Sequence, residues 1–427
     1  MKKIYLIATL TMLIVILLFS FEAREQYSLR HTSSPIVTEP LEISPDFYFS
    51  VSNKKHLTAA LQRYFNQAID NGDIVGASVA IVKCDSVLYA GGYGHRSSVT
   101  KEKINEETIF RIGSASKGFA GVLAGIHVEE GLIDWGDKVM SYMPDFELPN
   151  KQQTENITIS HILSHTTGLP YHSFTNLVED GISINEIASS FKEVDPIGKP
   201  GAIYSYQNAI FALSGAIVEQ VTGTSLREVM QKKIFDPLAM SSASTSYEAL
   251  ELSDNVAQPH KKYINGWQPI PINNKYYTNA IAAGGVNASA VDMSKWMKFL
   301  LGNNPEVLMP TSMQEVFTPK IEVGGRSKYY QKWPNYISSS YGYGWRIHTF
   351  VNEGSQKPAT IIHHGGSVND YRTEIAIYPE EDLGICVLFN SQNKLARTCV
   401  PDLHKIIQEI MNTSSYDEVL KESLSVL

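Results

Sequence analysis

Ser114 and Lys117 stand three places apart in the stretch FRIGSASKGFAG, residues 110–121. A serine hydroxyl is a weak nucleophile until a base takes its proton. A lysine amine serves as that base when desolvation or nearby positive charge lowers its pKa. Phe119, Val122, Leu123 and Ile126 recur at helical steps, and Gly131 can close the helix. The pair is therefore expected on one turn at a helix N-terminus, where positions i and i+3 are neighbours. A cation there opposes the positive end of the helix dipole. The same field favours an amine that must stay neutral. Gly113, Gly118 and Gly121 flank the pair and are expected to permit close backbone approach to something bound. S-x-x-K also occurs at Ser52, Ser98, Ser189 and Ser391, where a helix cap beside a solvated lysine is the plain reading.

Two further stretches carry usable chemistry. In GAIYSYQNAIFALSGAIVEQVTG (201–223), Tyr206 and Asn208 precede a helix with Ile210, Leu213, Ile217 and Val221 on one face, closed by Gly223. Tyr206 can share a proton with Lys117 or pass one to a leaving group, and Asn208 can hydrogen-bond a substrate carbonyl. The plain alternative is an Asn cap and a Tyr half in the core; Y-x-N recurs at Tyr263 and Tyr277. In IIHHGGSVNDY (361–371), an apolar run leads into His363, His364, Gly365 and Gly366. Glycines on an edge strand let a substrate backbone lie against it. The backbone N–H groups of Ser367 and Ser114 are the expected oxyanion hole; one such donor commonly accounts for about 10²–10³ in rate. The plain alternative is a glycine turn with a surface histidine pair.

The elements that must position these groups are readable in outline. A helix follows residue 54, with Leu57, Leu61, Tyr64, Phe65 and Ile69 on one face. ASVAIVKCDSVLYAGGYG reads as two strands joined at Asp85-Ser86, and TEIAIYPEEDLGICVLFN as two more around a Pro-Glu-Glu-Asp turn. A helix from about 396 to 412 follows. Strands at both ends and helices between predict an α+β fold: an antiparallel sheet formed by both chain ends, flanked by helices, with a mostly helical insertion. Cys84 and Cys386 lie in strand-like runs and read as core; with Cys399 they make three cysteines, too few and too odd for a disulfide framework.

S-x-x-K, then Y-x-N, then [K/H]-x-G, in that order and at wide spacing, resembles the signature of serine β-lactamases and penicillin-binding proteins, nearest to the class C β-lactamases and their esterase and peptidase relatives. ITISHILSHTTGLP (157–170), IFDPLAM (234–240), AAGGVNASAVDMSKWMKFLL (282–301) and YGYGW (341–345) agree with it. The resemblance implies a β-lactamase/transpeptidase-like fold over residues 55–412, with 55–118 and 335–412 forming the α/β part and 119–334 the helical part. It implies a serine hydrolase: Ser114 becomes acylated, Lys117 and Tyr206 handle the protons, and Asn208, His364, Gly365 and Gly366 place the substrate. No cofactor and no metal is implied. The third motif departs from β-lactamases: His364 stands where Lys is usual, and Gly365 where a hydroxyl residue is usual. Imidazole is mostly neutral at pH 7, so anchoring of a β-lactam carboxylate is expected to be weak and an ester, amide or peptide substrate is favoured. β-Lactam hydrolysis and D-Ala-D-Ala carboxypeptidase activity remain alternatives, as does a non-catalytic binding or assembly protein on the same fold.

The rest of the chain sets bounds. Among 427 residues the net charge is -8, with no block of like charge, so nucleic acid is not an expected partner. Lys2 and Lys3 precede an uncharged stretch from Ile4 to Phe21, which reads as a removed signal or an uncleaved membrane anchor over residues 1–23. Either places the body outside the cytoplasm. Residues 24–54 read as a linker and 413–427 as a polar tail. His161 and His165 are four apart, but the glutamate of H-E-x-x-H is absent. No G-x-S-x-G elbow occurs. Oligomeric state is not readable.

Overall fold

The computed structural model describes residues 51–325, 328–352 and 355–425. The expected signal or anchor, residues 1–23, and linker residues 24–50 lie outside the described residues. Among the described residues no single helix is long and apolar enough to cross a membrane.

Helix α1 (Val51–Asp70) begins four residues inside the expected linker. Leu57, Leu61 and Phe65 on its apolar face are fully buried. Strands β1 (Gly76–Lys83) and β2 (Ser86–Gly94) form the expected hairpin. Its turn is Cys84-Asp85, with Cys84 in the left-handed region at φ 53°. Cys84 is exposed, not a core residue; Cys386 and Cys399 are buried. Two residues of a tight turn cannot continue the alternation that the flanking strands suggest.

The chain then enters the helical region. Helix α2 (Ser116–Glu129) follows a short 3₁₀ turn at Gly113–Ala115. Every residue from Ser116 to His127 is buried, so α2 is a central helix covered on all sides. Gly131, at φ 70°, follows its end. Helix α3 (Asn208–Thr222) closes at Gly223, φ 62°, the left-handed cap that glycine adopts without strain. Helix α4 (Ala290–Leu300) starts with a Ser289–Asp292 capping box. Its Trp296 stacks on Phe119 of α2 at 3.9 Å between ring centroids.

The second half of the sheet follows: β3 (Ile321–Glu322), β4 (Tyr336–Tyr341), β5 (Arg346–Val351), β6 (Pro358–Val368), β7 (Tyr371–Tyr378) and β8 (Leu383–Phe389). The eight strands lie in the order β2-β1-β8-β7-β6-β5-β4-β3, all neighbours antiparallel. β1 pairs with β8 from Ala77↔Phe389 to Lys83↔Leu383, so the two chain ends close the sheet. β8 is buried at all seven positions, the pattern of a strand covered on both faces. Helix α5 (Cys399–Ser425) packs with α1, joined by a 2.8 Å bond from the Tyr64 hydroxyl to Asp402, and α4 lies against β1 and β8. α5 runs on through most of the stretch expected as a tail. The sheet starts before residue 335, because β3 is two residues long and has no periodicity to read.

One small pairing matters for the site. Phe110 and Arg111 pair with Ala288 and Asn287, and Ile112 N–H bonds the Val286 carbonyl at 3.1 Å. This brings residues 283–288 alongside the turn that carries Ser114.

Candidate active site

Ser114 is half-buried on the 3₁₀ turn at the start of α2. Lys117, one turn on, is fully buried. Its Nζ donates to Asn208 Oδ1 and to the Ala283 carbonyl, each at 2.8 Å, and lies 3.5 Å from Ser114 Oγ. Burial first, and the Arg346 charge second, push the Lys117 pKa well below its ordinary value. A neutral amine has two N–H groups and one lone pair. Two carbonyl oxygens take the two N–H groups, which leaves the lone pair to Ser114.

Gly118 and Gly121 admit the protein's own chain rather than a ligand. A β-carbon on Gly118 would sit 2.3 Å from the Trp345 ring, and one on Gly121 would sit 2.0 Å from the Tyr343 carbonyl oxygen. The YGYGW stretch thus packs directly on α2 and fixes the height of Lys117 in the site.

Tyr206 is buried, and Ser114 is among the neighbours that act on its phenol. Lys117 Nζ lies 4.9 Å from the centre of its ring. Burial pushes the phenol up to about 12, against the opposing pull of Arg346 and Ser114. Tyr206 is therefore protonated at neutral pH, a proton donor rather than a resting base. Asn208 is the first residue of α3, after Gln207 at the cap position. Its amide oxygen holds Lys117 and its amide nitrogen donates to the Tyr276 hydroxyl at 3.3 Å. The side chain expected to hold a substrate carbonyl holds the lysine instead.

Alternation along β6 sends His363 and His364 to opposite faces of the sheet. His364 is fully buried, with Nε2 3.0 Å from the Tyr341 hydroxyl and its ring 6.4 Å from that of Tyr206. Burial, then the charge of Arg346, lowers its pKa well below the ordinary imidazole value, so it is neutral. The two glycines after it meet protein, not open cleft. A β-carbon on Gly365 would sit 2.6 Å from the Tyr329 hydroxyl, and one on Gly366 1.9 Å from the Ile112 carbonyl oxygen. Ser367 N lies 2.8 Å from where a β-carbon on Gly113 would be, so the loop bearing Ser114 rests on Ser367. Ser114, Lys117, Tyr206, Asn208, His364 and the Ser367 backbone are thus gathered around one point. Gly365 and Gly366 act as clearances.

Sequence reasoning missed Arg346. It opens β5, opposite His363 in register. Its guanidinium lies over the rings of Tyr330 at 5.3 Å and Tyr206 at 5.8 Å, and its Nε is buried without a hydrogen-bond partner. Among the described residues no carboxylate pairs with it. It carries a fixed positive charge beside the neutral His364. The available signal was an arginine directly after the aromatic YGYGW run.

His363 belongs to a separate buried chain. Ser339 Oγ, His348, His363 and Glu374 follow one another at 2.7, 3.1 and 2.7 Å. His161 and His165 do not form a helical i,i+4 pair, because the helix ends at Leu163; His161 Nδ1 instead accepts the Thr158 N–H at 3.1 Å. Among the described residues no group of three His, Cys, Asp or Glu is placed to hold a metal ion.

The chain is similar to known proteins in sequence and in fold. The family model described as Beta-lactamase matches residues 61–404. The unguisins hydrolase ungD' of Aspergillus campestris is 29% identical over 333 residues, covering 75% of this chain and 59% of that protein. Protein flp of Staphylococcus aureus is 25% identical over 362 residues, covering 82% of this chain and 66% of that protein. The chain thus spans less than two thirds of the length of either relative. The solved structure of the octameric penicillin-binding protein homologue from Pyrococcus abyssi matches with TM-score 0.70 and 26% identity, over 82% of this chain and 77% of that one.

Proposed function

The chain belongs to the beta-lactamase family, and on that premise we propose that it is a class C-like serine hydrolase working through an acyl-enzyme on an ester, amide or peptide carbonyl. The observation that carries the reading is the partner set of Lys117: two carbonyls for its two N–H groups, and Ser114 Oγ for its lone pair. Ser114 Oγ attacks the substrate carbonyl carbon while its proton passes to Lys117. The oxyanion is held by the N–H groups of Ser114 and Ser367. The leaving oxygen or nitrogen departs with the proton of Tyr206, which Lys117 replaces. Water then attacks the acyl carbon, gives its proton to the same relay, and frees Ser114. The 3.5 Å separation of base and nucleophile is typical of a site without substrate.

Labelling by a fluorophosphonate tests this. Labelling of the wild type that is lost in Ser114→Ala supports it; no labelling of folded protein by any acylating probe supports a non-catalytic binding protein instead.

Arg346 favours a second, narrower reading of the substrate: a peptide or depsipeptide with a free carboxylate next to the scissile bond. Matched substrates ending in a carboxylate or its methyl ester separate the two. Preference for the acid that is lost in Arg346→Gln supports the narrower reading. Nitrocefin turnover far above that of p-nitrophenyl esters would favour β-lactam hydrolysis.

A further inference from the structure

His165 has no role in the chemistry above, yet it is built into the site at some cost. It sits in the left-handed region at φ 58° and is fully buried. A non-glycine residue held there is strained, and Asn, Asp and His bear it best. Its Nε2 is buried with no hydrogen-bond partner. A ring needed only for volume would be less costly as Phe, with no polar atom to desolvate.

The other atoms of His165 show what it does. Its carbonyl oxygen accepts the N–H of Ser205 at 2.9 Å. Its Nδ1 accepts the N–H of Gln207 at 3.2 Å, which fixes the tautomer with the proton on Nε2. Ser205 and Gln207 are the residues on either side of Tyr206. The imidazole also lies against the Tyr206 ring, with 4.3 Å between centroids. The left-handed backbone lets one residue present both its carbonyl and its ring nitrogen to the same tripeptide.

We propose that His165 is a positioning residue: it clamps the peptide on both sides of Tyr206 and braces the ring, so that the phenol stays on Ser114. The clamp rests on the reading of Tyr206 as the proton carrier. A shift of about 1 Å in such a group commonly costs 10²-fold in rate.

The test is a double-mutant cycle with p-nitrophenyl acetate as substrate. Asn tolerates the left-handed backbone and puts its amide oxygen where Nδ1 was; Gly tolerates the backbone and offers no acceptor. His165→Gly is expected to lower kcat on the order of 100-fold, with KM little changed, and His165→Asn to recover most of that loss. In a Tyr206→Phe background, His165→Gly should cause no further loss, because neighbours acting through one group are not additive. Urea midpoints confirm that each variant is folded. If His165→Gly does not fold, His165→Gln, whose amide oxygen lies one bond too far out, takes its place and is expected to lose kcat alike. Equal losses in both backgrounds, or an Asn variant no better than Gly, overturn the clamp alone. Wild-type kcat in Tyr206→Phe overturns both the clamp and the role of Tyr206.

Discussion

Replacing Lys117 by Met keeps the length and burial of the side chain and removes only the amine. Two consequences follow from its surroundings. Loss of a positioned base lowers kcat by about 10²–10⁴-fold. Asn208 Oδ1 and the Ala283 carbonyl lose their donor; a buried acceptor left unsatisfied costs about 1–3 kcal/mol, so about 2–6 for the pair. Against this stands the cost of the wild-type lysine itself. Unfolded, it is protonated up to its ordinary pKa of 10.5; folded, burial holds its pKa well below that. The unfolded state therefore binds more protons between the two values, and the wild type gains stability as pH rises through that window. The Met variant lacks this slope. Near pH 10.5 the wild type has nearly escaped the cost of neutralising its amine, and the variant should be less stable by nearly the full value of the lost bonds. Toward neutral pH the gap should narrow. Urea unfolding of both proteins at pH 7 and pH 10, with kcat on p-nitrophenyl acetate at pH 8, checks both parts. A variant within about tenfold of wild-type kcat, or a stability gap that widens as pH falls, would refute the assignment of Lys117 as a buried neutral base.

Arg346→Gln removes one of the two influences that depress the Lys117 pKa, so the ascending limb of the kcat/KM pH profile should move to higher pH; an unmoved limb means that burial alone sets it. Gly366→Ala drives a methyl group into the Ile112 carbonyl and should cost about 1–3 kcal/mol in urea unfolding, with slower fluorophosphonate labelling of Ser114. Burial holds His165, His348, His363 and His364 below the ordinary 6.5. The unfolded chain thus takes up more protons below that value, and the urea midpoint should fall between pH 7 and pH 5; a flat midpoint would show that these rings charge inside the fold. Burial alone would raise the Glu374 pKa, but Arg372 and the bonds from His363 and Tyr329 hold it below the usual carboxylate range. Its contribution is present above pH 4.5 and lost as pH falls through its folded value, so Glu374→Gln should flatten the acid side of the stability curve.

What was legible in the sequence is what local rules determine. The periodicity of α2 and its closing Gly131 placed Ser114 and Lys117 on one turn, and the alternating runs placed both hairpins that close the sheet. Cys84 was misplaced because a two-residue turn interrupts alternation without a breaker residue such as Gly or Pro. The glycines were legible as points of close approach but not as to what approaches. At Gly118 it is Trp345 and at Gly366 it is the Ile112 carbonyl, and both meetings depend on packing between distant segments. Arg346 was illegible for the same reason: its importance comes from Tyr206 and Lys117, which only the folded sheet brings near it. Lys117 shows the general case. Its two fixed acceptors come from 91 and 166 residues away. Each segment alone has a plain structural reading, as a capped helix, a half-buried tyrosine or a glycine turn. An amine desolvated among them has no such reading, because a lysine kept only for stability would reach solvent with its charge. The burial of that one amine, rather than any single motif, is what turns four ordinary segments into a site.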